Sequence, residues 1–237
     1  MRRRLRLLGT ALTVGGMLLL VWAVVVWQWQ DPFSALYTTW KQHQLAGQYE
    51  KRAAAFRAPV PARASLAAER RQIAVEAAAY RRDTRRGEAI GRIVVPRIGL
   101  NMILVDGTDH DSLTKGPGRD LETFMPGQNR LVYVAGHRTT YLAPFSHIDD
   151  IRKGDRITIK VPYGTFVYRV SGQRIVPAND LSVLRSPPHE LLILQACHPR
   201  FFATHRYLVY AQLIHVEPRD GTPFDLSAAA AAQSSGR

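Results

Sequence analysis

Cysteine is nearly absent from this chain: Cys197 is the only one in 237 residues. A lone thiol excludes an internal disulfide, so Cys197 is either a small buried hydrophobe or a reactive group. Acidic residues are also scarce, 19 Asp and Glu against 32 Lys and Arg, for a net charge of +13. Such an excess would suit a nucleic acid only if it lay on one folded face. It does not. Arg2, Arg3, Arg4 and Arg6 supply four of the charges, ten more basic residues stand against five acidic ones between Glu50 and Glu88, and from Ala89 onward the balance is 17 to 13. No nucleic-acid partner is expected. Internal repeats are missing, and no acidic cluster offers a divalent-cation site. The one set with metal-binding chemistry, Cys197, His198 and His205, matches no common zinc spacing and lacks an obvious fourth ligand. No metal and no cofactor are therefore expected.

Long apolar runs are missing everywhere but at the start. Leu7 to Trp27 carries no charged residue and is long enough to cross a bilayer as a helix. Residues 1–6, rich in arginine, should stay cytoplasmic, because the flank after the run carries only Asp31 and Lys41 before Glu50. Trp22, Trp27 and Trp29 suit an interfacial belt at the outer end. A cleaved signal peptide is the alternative, but its apolar region is shorter and ends in small residues, unlike the Trp27 to Asp31 stretch. The expected location is the cell membrane, as a single-pass protein with its folded domain outside.

Residues 28–88 are rich in Ala, Arg and Gln and read as helix, broken between Pro59 and Pro61. A stalk or linker is the plain reading; an amphipathic surface helix or a regulatory segment folding over the domain is the other. From 89 to 218 the pattern changes to short β-rich runs punctuated by Gly, Pro, Asn and Asp, the signature of an all-β barrel or sandwich. The predicted strands are GRIVV, MILVD, RLVYVAG, RITIKV, TFVYRV, LLILQAC and a last one from Arg206 to about Ile214. RITIKV and TFVYRV should pair across Pro162 to Gly164. LLILQAC is continuously apolar and should be central. Short helical connectors are expected around Asp111 to Thr114 and Pro144 to Ile151. Residues 219–237, ending in AAAAAQSSGR, read as a low-complexity disordered tail.

Nucleophilic chemistry at Cys197 would need a base and donors aimed at a developing oxyanion. Arg206 opens the strand that follows Cys197; if the two strands are neighbours, its guanidinium returns to the same rim. Arginine stays charged, so it can stabilise an anion but cannot act as a base. Among the eight histidines, His198 and His205 are adjacent to Cys197 and Arg206, and alternation along a strand turns them to the other face. His43 lies in the helical region, and His110, His147, His189 and His215 have no motif context. His137 ends RLVYVAG at a strand-to-loop junction comparable to that of Cys197.

Several ordered segments then coincide: IVVPRIGL, KGPG, MPGQ, AGHRTTYLAPF, KGDRI and LILQACHP followed by Arg206. Over about Gly91 to Glu217 the chain resembles the sortases, membrane-anchored cysteine transpeptidases, and most of all their class E branch. The resemblance implies an all-β, eight-stranded sortase-type β-barrel with short connecting helices, and Cys197, His137 and Arg206 as the catalytic group. It also implies substrate proteins with a C-terminal LPxTG- or LAxTG-like sorting signal, and an amine acceptor on a peptidoglycan precursor or a pilin. A catalytically silent sortase-like binding module, a pilin-polymerising enzyme and an unrelated wall transpeptidase are the other readings. The segment from about Ile175 to Glu190 is expected to shape substrate choice. Three positions depart from the family pattern. Ala196 lacks the hydroxyl usual before the cysteine, which touches local hydrogen bonding and peptide preference. Arg119 stands where histidine is common, and Leu142 where glycine is.

Overall fold

The computed structural model describes residues 2–29, 32–57 and 65–226. The break predicted at Pro59 to Pro61, the side chains of Trp27 and Trp29, and the tail from 227 lie outside the described residues. Helix α1 (Arg2–Trp29) is long and apolar enough to cross a membrane. It is followed by α2 (Pro32–Ala55) and α3 (Leu66–Asp83). Helix α3 starts where Ser65 accepts a hydrogen bond from the Ala68 N–H (3.2 Å), with Glu69 in its first turn and Arg81 and Arg82 in its last. Those charges oppose the helix dipole at each end.

The rest is a closed barrel. Its strands are β1 (Ala89–Val95), β2 (Leu100–Asp106), β3 (Gly118–Arg119), β4 (Leu131–Ala135), β5 (Arg156–Val161), β6 (Gly164–Pro177), β7 (Leu191–His198) and β8 (His205–Pro218). They run in the order β6-β5-β1-β2-β3-β4-β7-β8, and β8 pairs back to β6, which closes the ring into eight strands as the family resemblance implied. A two-residue β9 (Phe224–Asp225) adds to β8. The seven predicted strands are all present; the eighth, β3, is too short to leave a periodic signal. The predicted β5–β6 hairpin forms with Val161 opposite Gly164. The connectors are a single helical turn α4 (His110–Leu113) and short 3₁₀ turns, including Ile148–Asp150.

The inner faces of all strands but β3 build one apolar cluster, and α3 adds Ile73, Ala77 and Tyr80 to it. Tyr80 donates to the Ile90 carbonyl (3.0 Å) and packs edge-on against Tyr163 and Phe56. Each such buried side chain contributes roughly 1.5–3 kcal/mol. Helix α2 is held differently. Gln42 donates Nε2 to the carbonyls of Ile103 (3.0 Å) and Lys115 (2.8 Å) and accepts the Ile103 N–H on Oε1 (2.6 Å). Beside it Leu45 packs with Ala89, Ile103 and Val105. The helical region before the barrel is therefore packed onto it: α2 along β1 and β2, α3 against the core.

A second apolar cluster lies on the outer face of β4, β7 and β8. Leu131, Tyr133, Ala135, Ile193 and Leu208 meet Val176, Val183 and Leu184, which come from the end of β6 and the connection that follows it. Because β7 carries apolar residues on both faces, the outer side must be covered, and this connection covers part of it.

Candidate active site

Strand pairing sets the site. Strands β4 and β7 are parallel, with Ala135 opposite Gln195, and the Gly136 N–H donates to the Gln195 carbonyl (3.0 Å). Two residues further along each chain stand His137 and Cys197. In a parallel pair both chains leave the sheet at the same end, and residues two apart share a face. His137 and Cys197 therefore emerge side by side. Gly136 allows the Phe145 ring to pack close against the strand end: a Cβ there would meet that ring at 2.7 Å. On the other side β8 runs antiparallel to β7, with Arg206 directly opposite Cys197. The neighbouring strands that the Cys197–Arg206 spacing required are thus present.

Cys197, His137 and Arg206 all line one cavity of about 300 Å³ on the outer face of the barrel. Its floor is Tyr133, Ala135 and Gln195, and the β6–β7 connection walls it with Ala178, Leu181, Val183 and Leu184. Asp120 and Thr108 close another side, where the Thr108 hydroxyl donates to Asp120 (3.1 Å). The cavity is mixed, apolar along the connection and charged near the rim. A larger cavity of about 430 Å³ between α3, β8 and β9 contains none of the three predicted residues.

His137 is largely buried, and burial, seconded by the nearby His110, holds its imidazole below the ordinary histidine value. Its Nε2 is buried with no hydrogen-bond partner among the described residues. The ring lies 5.1 Å from that of Tyr141, which in turn meets His110 edge-on. A neutral imidazole with a free nitrogen can take up a proton. Arg206 donates Nη1 to the carbonyls of Ala203 (2.8 Å) and His205 (3.0 Å), which fixes the guanidinium at the strand end. Cys197 is half-buried and is a free thiol.

His198 turns away from the cavity, its Nδ1 3.0 Å from Arg138 Nη1, and His205 is bonded to Thr204 instead (2.9 Å). Cys197 and His198 thus face opposite sides, and no group of three His, Cys, Asp or Glu among the described residues is placed to hold a metal ion. Ala196 is fully buried in the barrel interior, on the face away from the cavity. Alternation along β7 thus turns Ala196 to the core while Cys197 faces the cavity. Arg119 is also buried, paired with Asp106 at 2.6 Å and bonded to the carbonyls of Asp120 and Thr123, so it serves the barrel and not the cavity. Leu142 has φ +60°, between Tyr141 at +53° and Ala143 at +37°. That left-handed backbone is what a glycine would adopt freely. Tyr141, His110, Asp120 and Thr108 were not singled out from the sequence. Tyr141 lies within AGHRTTYLAPF, while Thr108 and His110 come from the β2–β3 connection and Asp120 from the β3–β4 connection, in no motif of their own.

Comparison with known proteins places the domain in a family. Residues 93–214 match the family model for the sortase domain. Sortase D of Bacillus subtilis is 32% identical over 132 residues, covering 54% of this chain and 65% of that protein. The chain thus spans just under two thirds of that relative's length. Among solved structures, sortase E from Streptomyces avermitilis is 28% identical with a TM-score of 0.51, covering 56% of this chain and 93% of that one. The Clostridium perfringens sortase D5 transpeptidase is 22% identical with a TM-score of 0.59, covering 73% and 98%, a likeness of fold. With over half of its length matched by the domain, including the strands that carry His137, Cys197 and Arg206, the chain belongs to the sortase family.

Proposed function

We propose that this chain is a membrane-anchored transpeptidase with Cys197 as nucleophile, His137 as proton carrier and Arg206 as oxyanion ligand. The observation that carries the proposal is the β4–β7–β8 register, in which the three side chains border one cavity. The substrate is a protein ending in an LPxTG- or LAxTG-like signal, bound extended along the cavity through apolar pockets and backbone contacts. The Cys197 thiol passes its proton to His137, and the thiolate attacks the carbonyl carbon of the threonine. The oxyanion is held by Arg206. When the tetrahedral species collapses, the C–N bond to glycine breaks and His137 returns the proton to the departing amine. A thioester remains on Cys197. An incoming amine, from a peptidoglycan precursor or a pilin lysine, loses its proton to His137 as it attacks. The new amide forms and Cys197 is released.

In this reading α1 spans the membrane with residues 1–6 in the cytoplasm and the barrel, residues 89–218, outside. The test is mass spectrometry of the protein after exposure to a library of sorting peptides. An adduct on Cys197, lost in Cys197→Ala and discharged by an added amine, supports the proposal. A folded protein that takes up no library peptide overturns it.

A further inference from the structure

We propose that Arg138 is a positioning residue that fixes Cys197 against His137 where the backbone ladder between their strands has ended. The inference rests on the reading of Cys197 and His137 as the reacting pair. The last backbone bond between β4 and β7 is Gly136 N–H to the Gln195 carbonyl. Beyond it β4 enters a connection while β7 runs on to His198 paired with β8 alone, and no backbone ladder joins His137 to Cys197. Arg138 takes over there. While His137 turns into the cavity, Arg138 turns to the opposite side, as alternation requires. Its Nη1 donates to the backbone carbonyl of Cys197 (3.3 Å) and to His198 Nδ1 (3.0 Å). Its Nη2 pairs with Asp149 at 2.7 Å. The residue beside the base is therefore bonded to the main chain of the nucleophile itself.

The arrangement is built and not incidental. The Arg138 side chain is only 4% exposed, whereas Asp149 is 47% exposed. Its Nε is buried without a partner among the described residues, which costs stability that the other contacts must offset. The guanidinium lies over the Tyr207 ring at 5.8 Å, and Tyr207 follows Arg206 in β8. Arginine only donates, so His198 accepts on Nδ1 and carries its proton on Nε2. One planar fork thus touches the ends of β4 and β7 and the start of β8, the three strands that carry the proposed catalytic group. Asp149, in the β4–β5 connection, fixes the fork from outside. Because misplacement by about 1 Å can lower a rate about 100-fold, such a tie acts on turnover before it acts on binding.

The test uses the full chain in detergent micelles, with a sorting peptide that acylates the wild type and an amine acceptor. Arg138→Ala is expected to lower kcat about 100-fold with KM changed less than about threefold. Arg138→Lys, which keeps the charge and one donor, should recover about tenfold of that loss, and Asp149→Asn should lose about three- to tenfold. Amide hydrogen exchange, measured on the same proteins, should quicken in residues 195–199 of Arg138→Ala and Asp149→Asn. Wild-type kcat in a folded Arg138→Ala, or a loss confined to KM, overturns the proposal, as does unchanged exchange at 195–199. Should Arg138→Ala fail to fold, the Lys and Asn variants carry the same comparison. Absence of acylation in the wild type would instead defeat the assignment of Cys197, and exchange would still decide whether Arg138 ties the strand ends.

Discussion

Cys197 and Arg206 stand directly opposite each other across the antiparallel β7–β8 pair. Directly opposed residues share a face, with Cβ atoms about 4.5–5.5 Å apart. His198 and His205 continue the ladder beyond them, residues 199–204 form the loop outside it, and the carbonyls of Ala203 and His205 hold the guanidinium.

Arg206→Lys keeps the charge but loses the planar fork. Its acylation rate should fall about 100-fold, and that of Arg206→Ala about 1000-fold, the range seen on removing an oxyanion donor. Stopped-flow acylation with a sorting peptide measures both. A rate within about threefold of wild type in Arg206→Ala would remove the oxyanion role.

His137 should titrate below free histidine, because burial and His110 both disfavour its charged form. The unfolded chain then binds this proton more tightly than the folded one, so the stability contribution is complete above the unfolded value of about 6.5 and is lost as pH falls below it. Thermal melts from pH 7.5 to 5 should show a steeper acid loss for wild type than for His137→Gln. Histidine NMR titration of His110→Gln should show the His137 value moving up.

Glu190 has the opposite sign. Its carboxyl is pushed up to about 7, chiefly by burial, against the hydrogen bonds donated by Tyr168 (2.6 Å) and by the N–H groups of Gly127 and Asn129. The folded state therefore holds the proton more tightly, and stability falls as pH rises from about 4.5 towards 7. Urea melts of Glu190→Gln should show a flatter pH dependence across that window. An unchanged slope would count against the assignment.

Leu142→Gly should stabilise the protein. A non-glycine residue in the left-handed region costs about 1–2 kcal/mol, and the added freedom of glycine in the unfolded chain returns about 0.5–1 kcal/mol of it. The net gain is about 0.5–1 kcal/mol, read as a higher urea midpoint. Leu142 is not in the cavity lining, so acylation should be kept.

Gln42→Ala should loosen α2. The side chain makes three hydrogen bonds to the backbone of Ile103 and Lys115, and their loss leaves groups that are only partly reached by water. A cost of about 1–3 kcal/mol is expected, with faster proteolysis in residues 32–55. The same helix donates no catalytic group but touches the active-site loop, where the Tyr141 N–H donates to Ser34 Oγ (3.2 Å). A modest fall in kcat would follow its release.

By itself, the sequence determined the apolar span, seven strands and the identity of the thiol, because each rests on local periodicity or on a residue type used once. It also ordered His137, Cys197 and Arg206 through the family motifs around them. Tertiary structure decided what local signals cannot carry. Parallel pairing of β4 with β7, 60 residues apart in register, set His137 beside Cys197. Alternation about Cys197 sent Ala196 inward and His198 to Arg138, so the residue that looked unusual beside the thiol belongs to the core. Closure through β6 and β8 and the packing of α2 and α3 depend on contacts between distant segments. Such contacts leave no period in the chain, which is why the candidate residues could be named from it and their supports could not.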